Sequence, residues 1–538
     1  MSALLDQDLQ SLQEVRSLMQ RAKSAQLKFK ESSQEQVDRV VAAMAEAGFK
    51  ASERLARMAV EETKYGKVAD KTIKNQFSTR DLYEGIKHLK TVGVIREDTK
   101  KKILEVAEPM GVVAAVVPTT NPTSTAMFKC IIAVKARNSI IVSPHPRAKE
   151  CTQESVYVMR KAAESAGAPA DLCLCLSLPT NEGTNELMRH RDTAVILATG
   201  GTGLVRAAYS AGKPAYGVGP GNVPVYIDRS ADLPKAVADA VAGKTFDWGT
   251  LCSSEQALVI DAAVADRVLE ELKRQKAYFL NDTEADKVAK VLVTPEFRIN
   301  AEMVGQSPQR IAEAAGFKIP DEVRVLVARI TGVGKQYPLS AEKLSPVLAM
   351  FIEDGWEKGC ERCIELLNFG GRGHTLAVHC QDREVIMQFA LKKPAFRIVV
   401  NSPAAIGAVG YTTDLDPSMT LGCGSYGGNI TSDNIGPVHL MNIKRVAWET
   451  KPLSMPRDTG AWRPSLAAEV RKAEFPYQKA LASEVSRKGT SLATESAARP
   501  LSLNREPAGQ KLGTSGMSAE QVDRIVKEFK KMRGEKQS

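Results

Sequence analysis

No stretch of this 538-residue chain is long and apolar enough to cross a bilayer; the longest apolar runs are of the size of 111–118. Residues 1–13 carry acids and no apolar block, so no secretory leader is expected. The nine cysteines, at 130, 151, 173, 175, 252, 360, 363, 380 and 423, are odd in number and lack a framework spacing. A reducing compartment, the cytoplasm, is therefore expected. Cys360-x-x-Cys363 has no second pair and no neighbouring histidines, so no metal site is expected there. A basic surface is missing as well. The net charge is +10, but residues 456–538 hold 16 Lys and Arg against 10 Asp and Glu, six of the ten excess charges. A nearly balanced body argues against a nucleic-acid binder, while a modest excess suits polyanionic ligands.

What is present is an ordinary globular composition, 43% hydrophobic and 25% charged, long enough for two or three domains. Residues 4–24 and 33–62 read as amphipathic helices. From about 103, short apolar runs alternate with helical segments. The runs are 112–117, 139–142, 194–198, 224–227, 257–260, 324–328, 347–351, 375–379 and 398–400. Strands spaced by helices predict an α/β chain with parallel sheets, in two doubly wound domains.

Three segments carry chemistry. The first is Phe246-Asp-Trp-Gly-Thr-Leu-Cys252-Ser-Ser-Glu-Gln256, one cysteine after a glycine turn and before a polar, helix-compatible run. A helix starting there would raise the thiolate fraction at Cys252 and offer N–H groups to an oxyanion. The second is Ala194-Val-Ile-Leu-Ala198 running into Thr199-Gly-Gly-Thr-Gly203, which reads as strand, glycine turn and helix, a phosphate-cradling arrangement. The third is Val117-Pro-Thr-Thr-Asn-Pro-Thr-Ser124, which places Asn121 at a strand's C-terminal end, where open α/β sheets put their sites.

Asn121, Gly200-Gly-Thr-Gly203, the Cys252 loop and Glu342-Lys-Leu-Ser-Pro346 occur in that order. The set resembles the aldehyde dehydrogenase superfamily. With Gly217-Val-Gly-Pro-Gly-Asn-Val-Pro224, Gly371-Arg-Gly-His-Thr375 and Thr420-Leu-Gly-Cys-Gly-Ser-Tyr-Gly-Gly428, it is similar to the CoA-acylating branch, over about 8–450. Hydrolytic members carry a water-activating glutamate in a Glu-Leu-Gly-Gly-type motif, and the matching Gly219-Pro-Gly-Asn-Val has no carboxylate.

The resemblance implies catalytic roles for Cys252, Asn121, Glu342 and His374. Cys252 is the nucleophile, and Asn121 with the Cys252 N–H holds the oxyanion. Glu342 holds the nicotinamide ribose, and His374 assists proton transfer or places CoA. It implies cofactor binding by Thr119, Thr120, Gly200, Gly201, Thr202, Gly203, Gly219, Glu342 and Gly422. NAD is the implied cofactor, with CoA as co-substrate. Pro144-His-Pro146, where many hydrolytic members have a ribose-binding lysine, leaves NADP open. The implied domains are 1–235, completed by 408–455, for nucleotide binding and 236–407 for the cysteine. The implied partners are a short-chain aldehyde and a second copy of the chain or more.

Residues 456–516 read as a flexible linker, with a helix around 466–488. Beyond it, Ser518 and Gln521 form a capping-box pattern, and Val522, Ile525, Val526, Phe529 and Met532 make one apolar stripe. Ser518–Val526 matches Ser33–Val41 at seven of nine positions. Residues 517–538 resemble the encapsulation peptide that targets aldehyde dehydrogenases into bacterial microcompartment shells. The rival expectations are a hydrolytic enzyme releasing free acid and a non-catalytic shell scaffold.

Overall fold

The structure is a computed structural model that describes residues 6–451 and 453. The expected linker at 456–516, its helix around 466–488, and the 517–538 helix lie outside the described residues. The first expected helix is Gln7–Phe29, capped by Asp6, whose carboxylate accepts from the N–H groups of Asp8 and Leu9. The second, 33–62, is two helices, Gln34–Lys50 and Ser52–Thr63, broken at Ala51. Ser33 and Gln36 close a capping box at its start.

Three sheets follow. A hairpin of β1 (Gly93–Asp98) and β2 (Ile103–Pro109) opens the first. The second holds β3 (Val112–Val116), β4 (Ser139–Ser143), β5 (Cys173–Cys175), β6 (Thr193–Thr199) and β7 (Ala215–Val218). They are parallel, in the order β5-β4-β3-β6-β7.

The third sheet holds β8 (Val223–Ile227), β9 (Glu255–Asp261), β10 (Ala277–Leu280) and β11 (Val325–Arg329). It continues with β12 (Val347–Glu353), β13 (Gly373–His379) and β14 (Ala395–Val400). Its parallel order is β10-β11-β12-β9-β8-β13-β14. Finally β15 (Met441–Ala447) returns to pair antiparallel with β2. Because β8 hydrogen-bonds to β9 and β13, the chain changes sheets between β7 and β8, ahead of the expected division at 235.

Burial on both faces explains the near-continuous apolar runs of β3 and β4. Val113, Ala115, Ile140 and Val142 join the core that includes Val37, Val40 and Phe128. Their neighbours Val112, Ala114, Val116 and Ile141 pack with Val15 and Met19 of the Gln7–Phe29 helix. The period of two assigns alternate residues to opposite layers. Truncating a wholly buried ring such as Phe128 costs ~3–5 kcal/mol. This packing fixes the strand ends that carry the site.

Candidate active site

A cleft of about 1010 Å³ opens where β3, β4 and β6 end, and the Cys252 loop forms its floor. From β3 it takes Thr119, Thr120 and Asn121. From the turn after β6 it takes Gly200, Gly201 and Thr202, and from the β7–β8 crossover Gly219. Cys252 and Glu342 complete the group. Gly203 lies one residue into the Thr202–Tyr209 helix, and His374 and Gly422 sit behind the cleft wall. Among the described residues no group of three His, Cys, Asp or Glu side chains is placed to hold a metal, and no helix is long and apolar enough to cross a membrane.

The expected helix after Cys252 is absent. Asp247, Trp248 and Gly249 all have φ between 47° and 74°, which curls the chain into a tight turn ahead of the cysteine. A turn closed by Ser254 N donating to Leu251 O at 3.0 Å then leads into β9 at Glu255. The polar run that looked helical is buried instead: Ser253 Oγ donates to Ala405 O at 2.8 Å and Ser254 Oγ to Gly243 O at 3.2 Å. Burial pushes the Cys252 thiol up to about 12, the Glu342 carboxylate and Cys423 add to the rise, and Arg397 opposes it. The backbone N–H of Cys252 itself opposes the rise as well.

Asn121 sits at the N-terminus of the buried Pro122–Lys135 helix. Its Oδ1 accepts from Lys74 Nζ at 2.5 Å. Its Nδ2 donates to Thr120 Oγ1 at 3.1 Å and to Thr250 O at 3.3 Å, two residues before the cysteine. Lys74 also binds the Asp247 carboxylate, which takes Lys71 Nζ at 2.9 Å and Thr250 Oγ1 at 2.6 Å. Burial alone would raise Asp247, but Lys71 and Lys74 hold it below the usual carboxylate range. These lysines escaped the reading of the sequence. The available signal was Lys67, Lys71 and Lys74 on one helical face, a spacing that normally marks a solvated stripe.

On the opposite side, Glu342 Oε1 accepts from Gly221 N at 2.9 Å. Burial pushes its carboxyl up to about 8, against the pull of Gly221, Lys244 and Lys343. A Cβ built on Gly221 would lie 2.1 Å from Cys252 O and 3.2 Å from His374 Cδ2. Glycine is thus the only residue that fits between the cysteine backbone and the histidine ring. His374 is wholly buried and pushed down to about 3 by burial and Arg397, so its imidazole is neutral. Nδ1 lies 2.9 Å from Thr375 Oγ1, and Nε2 has no partner. Arg397 Nη1 donates to Gly422 O at 2.7 Å, so Gly422 shapes the wall from behind.

The glycine faces fit a dinucleotide. A Cβ at Gly201, Gly203 or Gly219 would meet nothing within 4 Å, so their backbones lie open to a ligand. Gly201 is the N-cap of the Thr202–Tyr209 helix, whose free N–H groups suit a pyrophosphate. His145, after β4, and Glu182, after β5, line the same cleft.

The pattern described as "Aldehyde dehydrogenase family" matches residues 4–292. The bifunctional aldehyde-alcohol dehydrogenase AdhE of Escherichia coli is 45% identical over 439 residues, 81% of this chain. The chain spans 49% of that protein, about half its length. The crystal structure of an acetylating aldehyde dehydrogenase from Geobacillus thermoglucosidasius is 53% identical with a TM-score of 0.83, covering 84% of this chain and 100% of that one. A propionaldehyde dehydrogenase from the Clostridium phytofermentans fucose utilisation bacterial microcompartment is 26% identical with a TM-score of 0.74, covering 82% and 98%. The chain belongs to the aldehyde dehydrogenase family.

Proposed function

We propose that this chain is an NAD-dependent, CoA-acylating aldehyde dehydrogenase that forms its thioester on Cys252. One observation carries the acylating reading: the segment 217–222, packed against the cysteine loop, holds no carboxylate, and Gly221 leaves no room for a side chain there. Water needs a strong base to attack a thioester. A second thiol ionises near ~8.5 and needs little help. The acetylating relative from Geobacillus thermoglucosidasius agrees with this reading.

The Cys252 sulfur adds to the aldehyde carbon, and Asn121 Nδ2 with the Cys252 N–H takes the oxyanion. NAD, when bound, supplies the hydride acceptor, and Glu342 is the acceptor for its ribose hydroxyls. Loss of hydride leaves the acyl group on sulfur, which then passes to the thiol of CoA. His374, neutral and with Nε2 unpartnered, stands behind Gly221 to assist proton movement or CoA placement. Thr119, Thr120, Gly200–Gly203 and Gly219 form the cofactor wall, Gly422 supports it from behind, and the active form is a dimer or larger.

The second half of the proposal concerns place. Residues 517–538 are an encapsulation helix that docks on microcompartment shell proteins, confining a short-chain aldehyde. The capped apolar stripe supports this, as does a relative from such a compartment. The test follows NADH absorbance with propionaldehyde and NAD, then with added CoA. Sustained turnover only after CoA is expected. Sustained turnover without CoA, yielding free acid, would transfer the protein to the hydrolytic branch, with Glu342 as the base to examine.

A further inference from the structure

We propose that Lys74 is a positioning residue for the oxyanion: its ammonium orients the Asn121 amide toward the cysteine loop and polarises it into a charge-assisted donor. The inference rests on the reading of Cys252 as the nucleophile. An ammonium can only donate, so the oxygen of the Asn121 amide must face Lys74 and the NH₂ group must face Thr250 and the cleft. Without that partner only the 3.1 Å and 3.3 Å contacts of Nδ2 to Thr120 Oγ1 and Thr250 O would hold the nitrogen on the cleft side, and neither partner is charged. The Nδ2 contact to Thr250 O is long, at 3.3 Å, and a charged oxyanion is the better acceptor for that hydrogen.

The charges around Lys74 add a second effect. Lys67, Lys71 and Lys74 face Asp70 and Asp247, leaving one positive charge in excess. Lys67 pairs with Asp70 at 2.6 Å, so the excess sits on the Lys71–Lys74–Asp247 group, where all three side chains are at most 5% exposed. In a dry site that charge lies one amide away from where negative charge develops. Lys71 Nζ also donates to Thr120 O at 3.0 Å, tying the residue before Asn121 to the same carboxylate. Keeping Lys74 here is costly: burial brings it down to about 8, although Asp247 pulls it up and Lys71 pushes it further down. A hydrocarbon side chain would pack without that penalty.

A double-mutant cycle tests the idea on the full chain, using Lys74→Met, Asn121→Ala and the pair. The readout is the single-turnover rate of NADH formation with propionaldehyde, alongside KM for NAD and CoA. Lys74→Met should slow that rate at least tenfold with both KM values within twofold. In the Asn121→Ala background the same change should alter the rate less than twofold, because the amide it acts through is gone. Equal losses in both backgrounds would overturn the proposal and leave Lys74 a general scaffold residue. If Lys74→Met does not fold, Lys74→Gln, which keeps a donor without the charge, enters the same cycle: a loss confined to the Asn121 background upholds the proposal, and equal losses overturn it. A wild-type chain that forms no NADH in a single turnover would sink the parent reading and this one with it. An additive cycle on an active wild type sinks this one alone.

Discussion

Two buried polar clusters flank Cys252, and they answer the loss of water in opposite ways. On the Asn121 side, Asp247 touches both Lys71 and Lys74, and it stays ionised despite full burial. On the Glu342 side, acids and lysines are near one another but do not pair. Lys244 Nζ binds Gln256 Oε1, and Lys343 Nζ binds the carbonyls of Gln256, Leu339 and Ala341. Glu255 and Glu342 take backbone N–H groups. Burial then neutralises the members: Glu255 rises to about 7, Glu342 to about 8, and Lys244 falls to about 7. Direct contact with two ammonium groups keeps Asp247 charged in a dry interior; without such contact burial moves Glu255, Glu342 and Lys244 toward neutrality. The charged cluster holds Asn121 through Lys74, and the second cluster holds Glu342 against Gly221.

Exchanging an acid for its amide in each cluster puts the contrast under strain. Asp247→Asn should be the severe change. Asparagine tolerates the left-handed φ of 47° at this position, so the backbone is not strained; the change removes the charge and turns one carboxylate acceptor into an NH₂ donor. It strands two buried ammonium groups, and urea unfolding should show a loss of about 3–5 kcal/mol. A loss under ~1 kcal/mol would mean that water reaches the cluster and that the comparison fails.

Glu342→Gln should cost far less, under ~1 kcal/mol at pH 6, because the carboxyl it replaces is already protonated there. The pH dependence has a definite sign. The folded value of about 8 lies above the ordinary 4.5, so the folded state holds the proton longer. That contribution to stability is complete below about 4.5 and is lost as pH rises through about 8. The Gln variant should therefore gain on the wild type between pH 5 and 8. Alkylation of Cys252 by iodoacetamide adds a smaller signal: the variant should react a few-fold faster at pH 9, where Glu342 is ionised and repels the thiolate, and equally at pH 6. Equal rates at both pH values would separate Glu342 from the cysteine.

Much of the chain was legible because its strands are buried on both faces. Each of the nine apolar runs read from the sequence lies on a strand of the two parallel sheets. The missed strands had weaker signals. β5 and β10 are only three and four residues long, and β1 and β15 are largely exposed along their length. The partner of β15 lies more than 300 residues earlier: Ile443 opposes Ala107.

The site shows the same division. Cys252, Asn121 and Glu342 were legible as isolated residues in motifs, and the fold gathers them on one cleft. The activating helix was misread because Ser253 to Gln256 is polar, and only tertiary packing shows that each of these side chains is buried. The lysines of Val68–Gln76 were unreadable for the same reason, since nothing local announces that Asp247 covers them.

The central claim is a thioester on Cys252 that waits for CoA. Intact-protein mass spectrometry after mixing with propionaldehyde and NAD, without CoA, tests it most directly. The account predicts one propionyl group per chain, mapped to Cys252, absent from Cys252→Ala and discharged when CoA is added. An unmodified chain alongside continuing NADH formation would contradict it, as would an adduct that water clears as quickly as CoA does.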